Sequence, residues 1–335
     1  MTKARAVQFG CGPIGCSVVR YAFQRPDIEL VGAIDIDKNL AEHDLGDIAG
    51  TGDKIGVSIS TDADTVLSQT KPDVIFLATS SSLEAIRPQV KQCAEAGANV
   101  ISSCEELSFP YRTDPQFTAE IDKIAKANQV TIISNGVNPG FVMDAWPLFM
   151  TGVCQQVKRI KAVRVQDASV RRGPFQNKIG AGCTAEEFQK RTADGSLKHA
   201  GLPESIAMVA SGLGWKLDDI TESIAPVISQ KKVKTDFVNV EPGLAAGVRQ
   251  IGKGIAAGKA LVTMEFIAYV GAPESYDTIY IEGKPDMEIV IKGGIHGDIA
   301  TAAMMVNTVP RVIAAPSGFI TMKDLPIVTT RGFGA

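Results

Sequence analysis

The sequence predicts an α/β protein: a doubly wound parallel sheet joined to a second, α+β domain. Three observations carry that expectation. Short apolar runs alternate with stretches of helical periodicity up to about residue 137, "GCGPIG" separates the first such pair, and beyond Phe141 the pattern shifts to longer, partly alternating strands. Alternating strands and helices build a parallel sheet covered on both faces.

The first strand, "ARAVQF", is short, apolar and partly β-branched, as a buried parallel strand requires. After the glycines, "IGCSVVRYAFQ" sets Ile14, Val18, Val19 and Phe23 at helical spacing. The glycines therefore form a strand-to-helix turn. Gly10 permits the tight bend, Gly12 lets the backbone approach a pyrophosphate, and Gly15 lets helix and strand pack closely. The helix start offers unpaired N–H groups to phosphate. The next strand, "IELVGAIDID", ends in acid, and Asp35 stands 20 residues beyond Gly15, the spacing at which a carboxylate binds the adenosine ribose. The candidate dinucleotide contacts here are Gly10, Cys11, Gly12, Pro13, Ile14, Gly15, Asp35 and Ile36. A carboxylate repels a 2′-phosphate, so Asp35 favours NAD over NADP. Asp37 is a second candidate reader, and Lys38 keeps NADP in play.

"DVIFLATS", "NVISS" and "TIISNGV" continue the strand series, with "LEAIRPQVKQCAEAG" and "DPQFTAEIDKIAKANQ" as helices. In such sheets ligands lie beyond the carboxyl ends of the strands. Three loops follow those ends: 78–82, 104–110 and 135–141. Thr79, Ser80 and Ser81 are placed to line the nicotinamide ribose, or to cap the following helix. Asn138, in "NGVNPGF", is placed to hold the nicotinamide carboxamide, with Pro139–Gly140 fixing the loop; N-P and P-G are also plain turn dipeptides.

In the second half, "VKRIKAVRVQDASV", "ITESIAPVISQKKVKTDFVNVEPG", "ALVTMEFIAYV", "YDTIYIEG" and "PDMEIVIKGGIHG" read as strands of a largely antiparallel sheet. "TAEEFQKRTADG" and "LPESIAMVASGLG" read as helices, and glycine-rich "VRQIGKGIAAGKALV" as a turn region. "DIATAAMMVNTVPRVIAA" reads as a helix returning to the first domain. The expected division is 1–137 for dinucleotide binding, 138–297 for substrate and dimerisation, and 298–335 rejoining the first domain.

A formal net charge of −3 without long like-charge runs argues against nucleic acid or an anionic membrane as partner. No apolar stretch is long enough to span a bilayer, and the start lacks the pattern of a signal peptide. The six cysteines form no CxxC pair and no zinc-like spacing, so no metal is expected, and they read as reduced thiols of a cytoplasmic protein.

The quoted loops carry a resemblance over nearly the whole chain. "GCGPIG", "GAIDID", "LATSSS", "NVISSCEELSFP", "NGVNPGFVMD", "MTGVC", "GLPESIAMVASGLGW" and "TMKDLP" resemble the family of 2,4-diaminopentanoate dehydrogenases and native amine dehydrogenases, which is dihydrodipicolinate-reductase-like. The resemblance implies reversible NAD(P)-dependent oxidative deamination of a primary amine to a carbonyl compound and ammonia, in a homodimer formed through the second-domain sheet. True dihydrodipicolinate reductases carry a histidine pair, a following lysine and a "DAPSGTA"-like stretch; here His43, His199 and His296 are isolated.

The resemblance also implies that Glu105 or Glu106 is catalytic. One carboxylate beside the nicotinamide can accept the amine proton and stabilise the iminium. On an extended chain adjacent residues point oppositely, so one of the pair would face the site, and Glu105 is nearer the strand end. From the residues alone, the pair also reads as solvated acids before a turn. His199 matches a family histidine near the substrate. Asn138 and Phe141 are further candidate substrate contacts, and Met143, Trp146 and Phe175 either join a pocket wall or sit in the core. Arg171 and Arg172 either anchor a substrate carboxylate or lie in a solvated loop. An imine reductase of the dihydrodipicolinate reductase kind and a non-catalytic nucleotide-binding protein are the alternative readings.

Overall fold

The computed structural model describes residues 3–330. Each short apolar run becomes a strand buried on both faces, and each periodic stretch a helix packed over it. The chain divides into two compact units, one up to Phe141 and again from His296, the other from Val142 to Ile295.

The first unit runs β1 (Ala4–Phe9), α1 (Pro13–Phe23), β2 (Ile28–Ile34), α2 (Leu45–Ala49), β3 (Ile59–Ser60), α3 (Ala63–Thr70), β4 (Val74–Leu77), α4 (Leu83–Glu95), β5 (Asn99–Ser102), a 3₁₀ turn (Glu105–Leu107), α5 (Pro115–Ala127) and β6 (Thr131–Ser134). In the second unit follow α6 (Ala145–Thr151), β7 (Gln156–Asp167), α7 (Gly173–Lys178), α8 (Ala185–Ala193), α9 (Leu202–Gly212), β8 (Asp219–Ile228), β9 (Val233–Lys234), β10 (Asn239–Val240), β11 (Ala245–Ala256), β12 (Lys259–Tyr269), β13 (Tyr276–Lys284) and β14 (Met287–Lys292). Then α10 (Gly297–Ile313) and β15 (Gly318–Phe319) complete the first unit. The expected segment 298–335 extends past the described residues.

The first unit's sheet has seven parallel strands in the order β15-β6-β5-β4-β1-β2-β3. The order reverses between β1 and β4, which is where such sheets open a ligand crevice. Its core is built from Val7, Ile75, Leu77, Val100 and Ile132 on the strands with Ile86, Val90, Phe117 and Ile121 from α4 and α5. Two of the strands, β3 and β15, are only two residues long, too short for periodicity to announce them. On α1 the buried face is Gly15, Val18, Val19 and Ala22; Phe23, expected on that face, is exposed.

The second unit's main sheet has six strands in the order β14-β13-β7-β12-β11-β8. All its pairs are antiparallel except β12 with β7. One expectation is corrected: "VRQIGKGIAAGKALV" is not a turn region but most of the β11–β12 hairpin, turning at Ala257–Gly258. Its glycines answer to close approach. A Cβ on Gly252 would stand 2.6 Å from Ile206, and one on Gly254 2.7 Å from Ile206 and 2.8 Å from Leu217, so glycine lets α9 settle on the strand.

Candidate active site

In a parallel sheet every strand leaves on the same side, so neighbouring strands deliver their following loops to one rim. β6, β5, β4 and β1 are neighbours in that order. Their loops hold the glycine turn, Thr79–Ser82, Glu105–Glu106 and Asn135–Phe141. Contacts tie each loop to the next. A Cβ on Gly10 would lie 2.5 Å from the Ala78 carbonyl oxygen, Cys104 Sγ donates to the Ser81 carbonyl at 3.2 Å, and Ser134 Oγ donates to the Cys104 carbonyl at 2.6 Å.

The glycine turn has the form its sequence implies. Gly10 sits at φ +95°, a conformation glycine adopts without strain. A Cβ on Gly15 would be 1.8 Å from the Gly10 carbonyl oxygen, so only glycine fits. Around Gly12 the space a Cβ would occupy is open, and among the described residues no side chain caps α1 there. The helix start is thus free to receive a phosphate. Asp35 Oδ2 accepts from Cys11 N at 2.6 Å and Oδ1 from Asp37 N at 2.9 Å, which fixes the carboxylate beside the turn. Asp37 instead accepts from Asn39 N and Nδ2, so its carboxylate closes a local turn. The side chain next to Asp35, Ile36, is 83% exposed, an apolar surface that an adenine ring could cover. Burial, then Asp35, pushes the Cys11 thiol up to about 12, and burial also raises Cys16 and Cys104. The thiols at this rim are protonated and poor nucleophiles.

Thr79, Ser80 and Ser81 do not cap α4. Thr79 Oγ1 donates to Gln89 Oε1 at 2.6 Å, and Ser80 Oγ accepts from Ser82 N at 3.1 Å. The cap comes from a distant residue: Glu106 Oε2 accepts from Leu83 N, the first residue of α4, at 2.8 Å. A carboxylate there satisfies an orphan donor and meets the positive end of the helix. Glu105 and Glu106 lie on the 3₁₀ turn rather than on an extended chain, so the strand argument for their opposite directions does not apply. The Glu106 carboxylate is engaged by α4.

Asn138 is 8% exposed, and neither its amide oxygen nor its amide nitrogen has a partner among the described residues. A buried side chain with both a donor and an acceptor unpaired suits a ligand that supplies both, such as a carboxamide. Nearby, Asn135 Nδ2 donates to Thr308 Oγ1 at 2.7 Å and anchors this loop to α10. Phe141 is half-buried.

The second unit spends its polar residues differently. Arg164 Nη1 meets Asp277 Oδ1 at 3.0 Å, its Nη2 donates to the Ile295 carbonyl at 2.6 Å, and the two side chains are each 2% exposed. Burial lowers the Arg164 pKa and raises that of Asp277 despite their attraction, so desolvation outweighs the pairing in each. Arg171 lies buried over the Phe175 ring, 4.2 Å from its centroid, and donates to Gln166 Oε1 at 2.9 Å, which corrects its reading as part of a solvated loop. Arg172 is half-buried and precedes α7.

His199 packs on the Phe266 ring at 4.3 Å. Its backbone is clasped by Gln250, which accepts from His199 N at 2.8 Å and donates to its carbonyl at 3.0 Å. Part of the residue reaches the surface, but Nδ1 is buried and has no partner among the described residues. Burial, reinforced by Lys178 and Arg164, holds its pKa down at about 3, so the ring is neutral at ordinary pH. Met143 is core, while Trp146 and Phe175 are half-buried. Two of the resembling stretches meet here: Ser205 of "LPES" donates to Asp144 Oδ2 of "NPGFVMD" at 2.6 Å.

Several of these residues escaped sequence reading. Cys104 and Ser134 act through backbone carbonyls, as does Gln8, whose Nε2 donates to the Gly10 carbonyl of the glycine turn at 2.8 Å. The one available signal was Gln8, a polar residue inside the buried run "ARAVQF".

The parallel sheet, its switch point and the glycine turn define a nucleotide-binding protein of the Rossmann type. Known proteins narrow the class. Residues 141–331 match the family model for the 2,4-diaminopentanoate dehydrogenase C-terminal domain, and residues 5–135 the model for the dihydrodipicolinate reductase N-terminus. The chain is 32% identical to 2,4-diaminopentanoate dehydrogenase of Acetoanaerobium sticklandii, over 98% of this chain and 94% of the relative. It is 22% identical to amine dehydrogenase of Streptomyces virginiae over 96% of each chain. The solved structure of amine dehydrogenase from Mycobacterium smegmatis superposes with a TM-score of 0.87 at 25% identity, covering 98% of both chains. The chain belongs to the 2,4-diaminopentanoate dehydrogenase family.

Proposed function

We propose that this protein is an NAD(P)-dependent amine dehydrogenase that interconverts a primary amine with a carbonyl compound and ammonia, and that its chemistry takes place at the rim formed by the ends of β1, β4, β5 and β6. The observation that carries the reading is the carboxylate of Glu105, delivered by the strand end two places along the sheet from the glycine turn, in a chain of this family.

A bound dinucleotide supplies the one chemistry that side chains lack, a two-electron hydride acceptor at its nicotinamide ring. The protein's own groups do the rest. The open N–H groups at the start of α1 hold the pyrophosphate, with Gly10, Cys11, Gly12, Pro13, Ile14 and Gly15 shaping the turn. Asp35 accepts the ribose hydroxyls and repels a 2′-phosphate, so NAD is used at least as well as NADP, and Ile36 covers the adenine. Thr79, Ser80 and Ser81 line the nicotinamide ribose. Asn138 gives the carboxamide both a donor and an acceptor.

Glu105 accepts the proton that makes the substrate ammonium a free amine and passes it to solvent. As hydride leaves the substrate carbon, the carboxylate, ionised again, opposes the positive charge of the iminium. It then takes a proton from the water that adds to the iminium carbon and returns it to the nitrogen, so that ammonia departs as the carbonyl forms and the remaining hydroxyl proton is taken up by the carboxylate. Glu106 holds the 3₁₀ turn to α4 and so supports Glu105. Phe141 and Asn138 contact the substrate.

A cytoplasmic homodimer belongs to the same reading. Its support is the exposed face of the second unit's sheet, where Tyr280 and Val290 share a side by register with Lys161.

The test follows reduced dinucleotide by absorbance at alkaline pH, with NAD+ or NADP+ and a panel of primary amines. Amine-dependent reduction is expected, and the reverse reaction should require ammonia. Reverse turnover of a cyclic imine without ammonia would favour imine reduction, and no turnover in either direction a non-catalytic nucleotide-binding protein.

A further inference from the structure

We infer that Gln8 is a positioning residue for nucleotide recognition, acting through the Gly10–Cys11 peptide on the Asp35 carboxylate. The inference rests on the dinucleotide reading proposed above.

Gln8 is the odd residue of β1. Its neighbours Ala6, Val7 and Phe9 are apolar and buried, and Gln8 itself is 0% exposed. Its amide oxygen has no partner among the described residues, a costly arrangement for the core of a sheet. What the amide does is specific. Nε2 donates to the Gly10 carbonyl at 2.8 Å. The next atoms of that same peptide plane, Cys11 N–H, donate to Asp35 Oδ2 at 2.6 Å. In a trans peptide the carbonyl and the N–H point to opposite sides, so one plane is gripped from two directions, by Gln8 beneath and Asp35 beside. A rotation of that plane would break both bonds together.

Glycine also leaves that plane freer to rotate than a residue with a side chain would. Gly10, at φ +95°, has no Cβ to restrain it. A leucine or methionine at position 8 would fill the same space yet leave the Gly10 carbonyl without its donor. Asp35 would then keep Asp37 N on one oxygen and lose a fixed partner on the other. A carboxylate that reads ribose hydroxyls needs a fixed direction. The amide at Gln8 therefore gives up core stability for the orientation of Asp35.

The test compares the wild type with Gln8→Met, near in length and shape but without donor or acceptor. Dinucleotide Kd is measured by calorimetry and Tm by thermal unfolding. The expected variant unfolds at the same or higher temperature, binds NAD+ about 3- to 10-fold more weakly, the worth of one hydrogen bond, and loses a similar factor in NAD+/NADP+ preference. In an Asp35→Ser background, Gln8→Met should change that preference no further, because the two act on one chain of bonds. An unchanged Kd in a folded Gln8→Met protein overturns the inference, as does an equal loss of preference in the Asp35→Ser background. Gln8→Leu serves as a second variant; loss of the fold in both would assign Gln8 to the core and also overturn it. A wild type that binds neither dinucleotide would instead refute the proposed function, and the inference with it.

Discussion

Buried charge is distributed unequally between the two units. In the first, Arg25 is the buried charged residue among those described; in the second, Asp144, Arg164, Arg171, Glu204, Glu265 and Asp277 are all buried. Among the described residues the first unit buries no charge within its sheet and collects its candidate functional groups at one rim, where parallel strands end. The second places charge inside its strands, Arg164 and Asp277 facing each other across paired β7 and β13. A parallel sheet covered on both faces gives a strand interior no exit to water, so function must gather at its ends. A mixed sheet can place a charged partner on an adjacent strand and tolerate ionised groups along its length.

That contrast can be broken at several points. In the rim unit the largest effect is expected from Gly15→Ala, whose new Cβ has no room beside the Gly10 carbonyl. It should cost about 3 kcal/mol and abolish dinucleotide binding, measured by denaturant unfolding and calorimetry; a stable variant that binds normally would refute the close-packing role. In the second unit, Asp277→Ala leaves Arg164 buried and unpaired and should cost a similar ~3–5 kcal/mol. A change below about 1 kcal/mol would mean the pair behaves as a surface one.

His199 sharpens the comparison through pH. Its folded pKa of about 3 lies below the ordinary 6.5, so the unfolded chain takes up a proton that the fold excludes. The stabilisation is present above 6.5 and lost as pH falls toward 3. The slope should reach at most about 1.4 kcal/mol per pH unit, and His199→Gln should flatten it in urea unfolding measured across that range. An unaltered slope would show the ring to be solvated. The smallest effect belongs to Glu106→Ala. Losing the cap on α4 should cost about 1 kcal/mol in thermal unfolding with turnover within a few-fold, whereas a full loss of turnover would give Glu106 a chemical role.

The same contrast explains what could be read from sequence. The glycine turn, Asp35 and the loops after β4, β5 and β6 follow strands in chain order, so an apolar run and the residue after it locate them. Glu106 reaching Leu83, 23 residues back, is a long-range contact that no spacing encodes. Arg164 and Asp277 are 113 residues apart and meet only once the mixed sheet is paired. The hairpin of β11 was hidden for another reason: its glycines admit α9 and mimic a turn signal. Arg171 looked like a loop charge because burial over Phe175 leaves no mark in a run such as "VRRGPFQNK".

The central claim is that one carboxylate at the end of β5 does the proton chemistry. It is tested most directly by kcat for amine deamination in Glu105→Gln and Glu106→Gln, with dinucleotide affinity measured beside it. Glutamine keeps the shape of each side chain and removes its charge and basicity. The account predicts that Glu105→Gln loses at least ~100-fold in kcat with dinucleotide affinity unchanged, while Glu106→Gln stays within a few-fold. Wild-type turnover in both variants, or the loss falling on Glu106→Gln alone, would contradict it.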